Sequence, residues 1–149
     1  MENHLHVLFN DYFKDYLKFN PLHATMIGKH KYDDQLPNFY SEDYTNNFRD
    51  TLQKYLDLAE EEVTVSHSDH INLEAFKDML SLQIEGLNLP FDELPISQMG
   101  NIFLEIMSLI VEPGLQPLKT QKEIDIFRTR MSNFPALIDT MISNLVKGT

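Results

Sequence analysis

Apolar residues recur every three or four positions through most of this chain of 149 residues, which is the spacing of one face of an α-helix. The segment from Leu5 to Phe19 shows it most clearly, with apolar and aromatic residues on one side and Asp and Lys on the other. We interpret the aromatic residues as a packing face. No stretch alternates as a strand would. The sequence therefore predicts an all-α fold, a single domain over residues 1–149 with about six or seven helices in an orthogonal or irregular bundle.

Capping residues divide the pattern into separate helices. Ser41 is followed by two acidic residues and predicts the start of a long helix that runs to about Glu62. Ser68 or Asp69 is expected to cap the next one, which ends near Gly86. Thr120 and Glu123 have the spacing of a capping box. Near the C-terminus, Pro135 predicts either two consecutive helices or one kinked helix.

The most hydrophobic stretch runs from Ile96 to Val111. Its apolar surface is wider than one helix face requires, so this helix either lies at the centre of the core or packs against a partner. The residues of this candidate interface are Met99, Ile102, Phe103, Ile106, Met107 and Ile110.

Composition restricts the possible partners. A net charge of −11 disfavours binding to nucleic acid and to an anionic membrane surface. The absence of cysteine excludes disulfides and thiolate metal sites. We expect no signal peptide, because the first residues lack basic and apolar regions, and no segment is long enough to span a bilayer. The cellular compartment is left open.

Unusual backbone chemistry and polar side chains coincide between Asn20 and Pro37. Asn20 suits a helix N-cap, Pro21 the first helical position, and Gly28 the left-handed residue that closes a helix. A polar loop containing His30, Tyr32 and Asp33 should follow.

This stretch resembles the N-terminal signature of a bacterial family catalogued as domain of unknown function 885. The matching residues are Asn20, Pro21, Ala24, Thr25, Gly28, His30, Tyr32, Asp33, Leu36 and Pro37. A weaker likeness continues through residues 69–80, 94–95 and 134–137, so it covers nearly all of the chain. Candidate functional residues are therefore Asn20, Pro21, Thr25, Gly28, His30, Tyr32 and Asp33.

The resemblance implies a part of a larger protein. Members of that family are several times longer and look like helical zinc metallopeptidases, with a His-Glu-x-x-His helix far downstream of the signature. That motif is absent here, because no two of the six histidines have the required spacing around a Glu. We therefore expect no catalytic residue and no cofactor in this chain, with zinc bound only in full-length relatives.

Three functional hypotheses remain. In the first, the chain is a non-catalytic N-terminal helical domain that packs on or gates a catalytic domain, and its partner is the missing C-terminal part of the parent chain. In the second, it is a stand-alone helical interaction module, for example one that forms a homodimer. In the third, it is a small enzyme, and His30 with Asp33 is the only pair in a special loop that suggests it.

Two interpretations of the polar loop are open. His30, Tyr32 and Asp33 either face a cleft or adjoining domain, or serve local structure, with Asp33 or Asp34 capping a turn, Tyr32 packing on the first helix and His30 at the surface. A metal site at His67, Asp69 and His70 lacks an identified further ligand.

Overall fold

The computed structural model describes residues 4–64, 66–90, 93, 101–111 and 114–147. These residues form helices and no strand, which confirms the all-α class. The elements are α1 (His4–Phe19), α2 (Pro21–Met26), a 3-10 turn (His30–Tyr32), α3 (Glu42–Glu61), α4 (His67–Gly86), α5 (Ile102–Ile110), α6 (Gln121–Met131) and α7 (Phe134–Lys147).

The chain forms two compact units. The first comprises Met1–Tyr16 and Thr45–Pro90. Its core is built from the apolar faces of α1, α3 and α4, and the buried residues are Leu5, Tyr12, Leu52, Tyr55, Ala59, Leu73, Phe76 and Leu80.

Tyr12 lies at the centre of this first core. Its ring makes edge-to-face contacts with Tyr55, at 5.5 Å between centroids, and with Phe76, at 5.2 Å. Phe9, which lies on α1 with Tyr12, also contacts Phe76, with 4.8 Å between the ring centroids. Phe9, Tyr12 and Tyr16 thus pack in this core, which confirms the packing face for these residues, whereas Phe13 is 42% exposed.

The second unit comprises Leu17–Tyr44 and Phe91–Thr149. Its core joins α2, α5 and α7, and the buried residues are Leu22, Leu36, Ile102, Ile106, Leu109, Leu137 and Met141. Leu22 and Leu36 enter this core from the two ends of the signature segment. None of the described helices is long and apolar enough to cross a membrane.

Most helix ends follow the capping chemistry. Both hydrogen bonds of the Thr120–Glu123 capping box are present, and Ser41 Oγ accepts a hydrogen bond from the backbone N–H of Tyr44. The prediction for α4 was wrong by two or three residues, because its N-cap is Ser66, whose Oγ accepts from the N–H of Asp69. Around Pro135 the chain forms two helices, since α6 ends at Met131 and α7 begins at Phe134.

Helix α2 is closed by Gly28, as the sequence predicts. Gly28 has a φ of +76°, its N–H donates to the carbonyl of Thr25, and the N–H of Lys29 donates to the carbonyl of Ala24. This pair of bonds is the Schellman motif. At the other end Pro21 is the first helical residue as expected, but the Asn20 side chain makes no capping hydrogen bond.

Gly28 and Gly86 offer a matched test of backbone conformation. An added Cβ meets no atom within 4 Å at either position, so only the backbone differs. Gly28→Ala should lower the free energy of unfolding by about 1–2 kcal/mol, because alanine is strained at positive φ. Gly86→Ala should raise it by about 0.5–1 kcal/mol, because alanine favours the helix. Urea unfolding measures both, and two changes of the same sign would contradict the assignment.

Because of the buried Tyr55 hydroxyl, we expect the folded state to become less stable at alkaline pH. Its hydroxyl donates to Asp15 Oδ2 at 2.6 Å, and its pKa is raised, first by burial and then by the bond to Asp15 and nearby carboxylate charges. The folded state thus holds this proton at a pH where the unfolded state releases it, so stability falls as the pH rises above about 10. In Tyr55→Phe this fall should shrink, while stability at pH 7 drops by about 1–2 kcal/mol. Unfolding followed between pH 7 and 11 provides the measurement, and Tyr44→Phe is the control.

Candidate functional site

Three signature side chains meet after α2. The helix places Thr25 on its buried side, and the Schellman turn followed by the 3-10 turn returns the chain so that Asp33 lies beside it. Thr25 Oγ1 is 2.6 Å from Asp33 Oδ1, and His30 Nδ1 is 2.9 Å from Asp33 Oδ2. Because a hydroxyl carries one proton, we assign that of Thr25 to the nearer, charged acceptor rather than to the Pro21 carbonyl at 3.0 Å. Asp33 therefore accepts from both neighbours.

Arg130 brings the balancing charge from α6. Its side chain is fully buried, and Nη2 lies 3.7 Å from Asp33 Oδ1. The same nitrogen donates to Thr25 Oγ1 at 2.8 Å and to the Tyr32 carbonyl at 2.9 Å. The planar guanidinium thus connects α6 with both α2 and the 3-10 turn.

Gln116 completes the cluster from the segment before α6. Its side-chain amide donates to the Asp33 carbonyl at 3.0 Å, and its Oε1 accepts from Arg130 Nη1 at 2.8 Å. Its own backbone N–H donates to the carbonyl of Leu109 at 2.9 Å, near the end of α5. We name Thr25, Asp33, Gln116 and Arg130, each at most 5% exposed, the polar cluster.

Burial and charge act in opposite directions on Arg130. Removal from water lowers its pKa, whereas the charges of Asp33 and Asp34 act to raise it. An unpaired charge at this depth would be strongly destabilising. The folded state therefore needs the Asp33 carboxylate and the hydrogen bonds that surround the guanidinium. Within the polar cluster, the Nε atom of Arg130 is buried without a hydrogen-bond partner among the described residues.

The geometry makes the polar cluster a structural clamp. Thr25 and Arg130 are sealed from solvent, so neither can touch a substrate in this conformation. His30 extends outward, with 46% of its side chain exposed, but its Nδ1 is engaged by Asp33. The local interpretation of the loop thus fits Asp33, which binds neighbouring groups of its own unit, although through a network wider than a turn cap.

The remaining signature residues shape the backbone around the clamp. Pro21 starts α2 and Gly28 closes it, while Tyr32 contributes its carbonyl oxygen. Asn20 stands at the N-cap position without the expected side-chain bond.

Sequence analysis missed Arg130 and Gln116. On α6 the apolar Ile124 is 39% exposed, while the charged Arg130 is fully buried. The position of Arg130 could have indicated its burial, because it lies three residues after Phe127 on the half-buried side of an amphipathic helix. Gln116 lies in a non-helical segment, where no periodicity marks a buried residue.

The predicted interface on α5 divides into two parts. Ile102 and Ile106 belong to the core of the second unit, whereas Phe103, Met107 and Ile110 are 38%, 51% and 36% exposed. Met99 lies outside the described residues. The open part of the predicted face therefore consists of Phe103, Met107 and Ile110.

The described residues do not fit a zinc site. No group of three or more His, Asp or Glu side chains among them is placed to hold a metal ion. In particular, His30 and Asp33 are hydrogen-bonded to each other. We therefore derive no metal-dependent step for this chain.

Arg130 provides a direct test of the clamp. Arg130→Met leaves the Asp33 carboxylate buried without its counter-charge, so the free energy of unfolding should fall by about 3–5 kcal/mol. Arg130→Lys should recover little, because an ammonium cannot reproduce the planar fork of donors. Adding Asp33→Asn to Arg130→Met should restore part of the loss.

The matched control is Arg128→Met, two residues away on α6. Its guanidinium is 75% exposed and pairs with Asp125 at 3.1 Å, so the change should cost no more than about 1 kcal/mol. Urea unfolding measures all four variants, and equal losses at positions 128 and 130 would refute the clamp.

Comparison with models of known protein families gives a match for the chain. A family model described as "Bacterial protein of unknown function (DUF885)" matches residues 21–149, beginning at the first residue of α2. Neither a curated protein nor a solved structure gives a significant match. Since the match spans most of the sequence, the chain belongs to the DUF885 family of bacterial proteins of unknown function.

Proposed function

We propose that this chain is a non-catalytic N-terminal helical domain of a larger metallopeptidase-like protein, and that it packs on or gates the catalytic part. Family membership supports this role, together with the likeness of the longer family members to zinc metallopeptidases. The polar cluster supports the non-catalytic part of it, because its titratable groups serve to hold α2, the 3-10 turn and α6 together.

The observation that carries the proposal is an open apolar face on α5. Five side chains between residues 103 and 111 are from 36% to 56% exposed, namely Phe103, Leu104, Met107, Ile110 and Val111. At about 100° per residue they cover an arc of about 120° next to the buried positions of the helix. We name these five residues the α5 apolar face.

The composition of α5 explains why this face needs a cover. Only Glu105 and Ser108 are polar in the nine residues of the helix. A helix that is apolar over most of its circumference is typical of burial on more than one side. Its own unit covers Ile102, Ile106 and Leu109, and Phe134 contacts the ring of Phe103 at 5.7 Å between centroids, so a second surface could cover the area of the face that remains exposed.

Binding to the remainder of the parent protein tests the proposal. That remainder, produced as a separate polypeptide, should bind the chain in titration calorimetry, and its hydrolysis of a peptide should change when the chain is added. Phe103→Ser with Met107→Ser should weaken binding at least tenfold, because buried apolar side chains at the centre of an interface carry much of its affinity. Ile142→Ser with Val146→Ser is the control, since these residues of α7 are 55% and 70% exposed outside this face, and it should bind as the unchanged chain does.

Two results would overturn the proposal. One is equal binding by the two double variants. The other is a parent transcript that encodes no further domain with a His-Glu-x-x-His helix.

The same face also fits the second hypothesis, a stand-alone interaction module. In that case sedimentation should show a homodimer of the unchanged chain, and Phe103→Ser with Met107→Ser should make it monomeric. The two functions are therefore separated by which partner covers the face.

A further inference from the structure

Helix α4 has a second apolar stripe on the side opposite its core face. The buried residues Leu73, Phe76 and Leu80 define the core side. At about 100° per residue, Ile71, Ala75, Met79 and Leu82 fall within an arc of about 80° on the other side of the helix. All four are exposed, with Ile71 at 54%, Met79 at 37% and Leu82 at 67%. We name these four residues the α4 outer stripe.

Periodicity distinguishes this stripe from scattered surface residues. Single exposed apolar side chains are normal on any protein surface. Here they recur at spacings of four, four and three residues, which aligns them along three turns of one helix. Such a row can receive the apolar side of another helix.

Acidic residues follow one edge of the stripe. Glu74, Asp78 and Glu85 project on the same side of it, at angles that place them next to the apolar row. The other edge carries the uncharged Asn72 and Gln83. Lys77 pairs with Glu74 at 2.9 Å, so the negative charge of this edge comes mainly from Asp78 and Glu85. The surface is thus an apolar row beside a negative edge.

The charge of the whole unit has the same sign. Residues 1–16 and 45–90 contain twelve of the 23 acidic residues and four of the 12 lysines and arginines, which gives this unit a net charge of −8. The remainder of the chain has eleven acidic and eight basic residues, a net charge of −3. A negative field of this kind attracts and orients a positively charged partner.

We propose that the α4 outer stripe binds a basic amphipathic helix, with an apolar row against residues 71–82 and a row of lysine or arginine beside the acidic edge. A second copy of the chain fits poorly, because an antiparallel pairing of two stripes by a twofold axis sets acidic edge against acidic edge. The proposal is independent of the α5 apolar face, which lies in the other unit.

A designed peptide tests the proposal. The probe is a fluorescein-labelled 18-residue amphipathic helix with leucine on one face and lysine beside it, and its partner is the full chain in a fluorescence anisotropy titration. We expect saturable binding that weakens as salt is raised. Ile71→Ser with Leu82→Ser should weaken binding at least tenfold although every charge is kept, and Asp78→Asn with Glu85→Gln should also weaken it and reduce the salt dependence.

Two controls make the outcome decisive. Ile142→Ser with Val146→Ser alters exposed apolar residues of α7 in the other unit and should leave the affinity within twofold. A peptide with glutamate in place of lysine should not bind. Circular dichroism and thermal unfolding check that each variant is folded, and because positions 71 and 82 are exposed we expect unchanged melting.

Three results would overturn the proposal. Equal affinity of the stripe variant and the unchanged chain would show that charge alone attracts the peptide. Equal binding of the glutamate peptide would remove the role of the acidic edge. Sedimentation showing a dimer that Leu82→Ser dissociates would assign the stripe to a second copy.

Discussion

The ion pair of Asp33 with Arg130 is the interaction on which the second unit depends. It joins a turn near the start of the chain to a helix near its end, and both side chains are almost completely removed from water. Because dehydrated charges are costly, this arrangement persists only while each charge keeps its partners. Thr25 and Gln116 supply them, and so the polar cluster fixes α2, the 3-10 turn and α6 in one geometry.

Apolar packing supplies the free energy that such a cluster does not. Buried ion pairs often stabilise a fold no more than apolar residues of similar volume would. The contribution of the cluster is therefore to specify one arrangement of α2, the 3-10 turn and α6. Leu22 precedes Thr25 on α2 and Leu36 follows Asp33, and both enter the core with α5 and α7. The signature segment is therefore held twice, by leucines at its two ends and by the polar cluster in its middle. Either contact alone would leave the turn between them free to shift.

The predictable part of this structure is the part set by local chemistry. Gly28 indicated its left-handed turn, Thr120 and Glu123 their capping box, and the residues of α1 their core face, because each signal depends on neighbours within one or two turns. The division into two units and the pairing of Asp33 with Arg130 depend on contacts between distant segments. A single sequence gives little information about such contacts. Asp33 was nevertheless among the candidate residues, because it is one of the residues that match the family signature.

The open surfaces have a different physical character from the clamp. In the polar cluster the titratable groups face each other and leave little access for a reacting molecule, whereas α4 and α5 each present an apolar row that their own core does not use. For α5 the signal was present in the sequence as an excess of apolar residues. For α4 the acidic residues between the apolar positions concealed it, because the helix looks evenly mixed until the contacts show which side is buried. Apolar rows that face water carry a solvation cost that a bound partner would remove, and we propose that the acidic edge of α4 favours a partner of opposite charge over another copy. The apolar rows of α4 and α5 are therefore the surfaces at which we propose that partners bind.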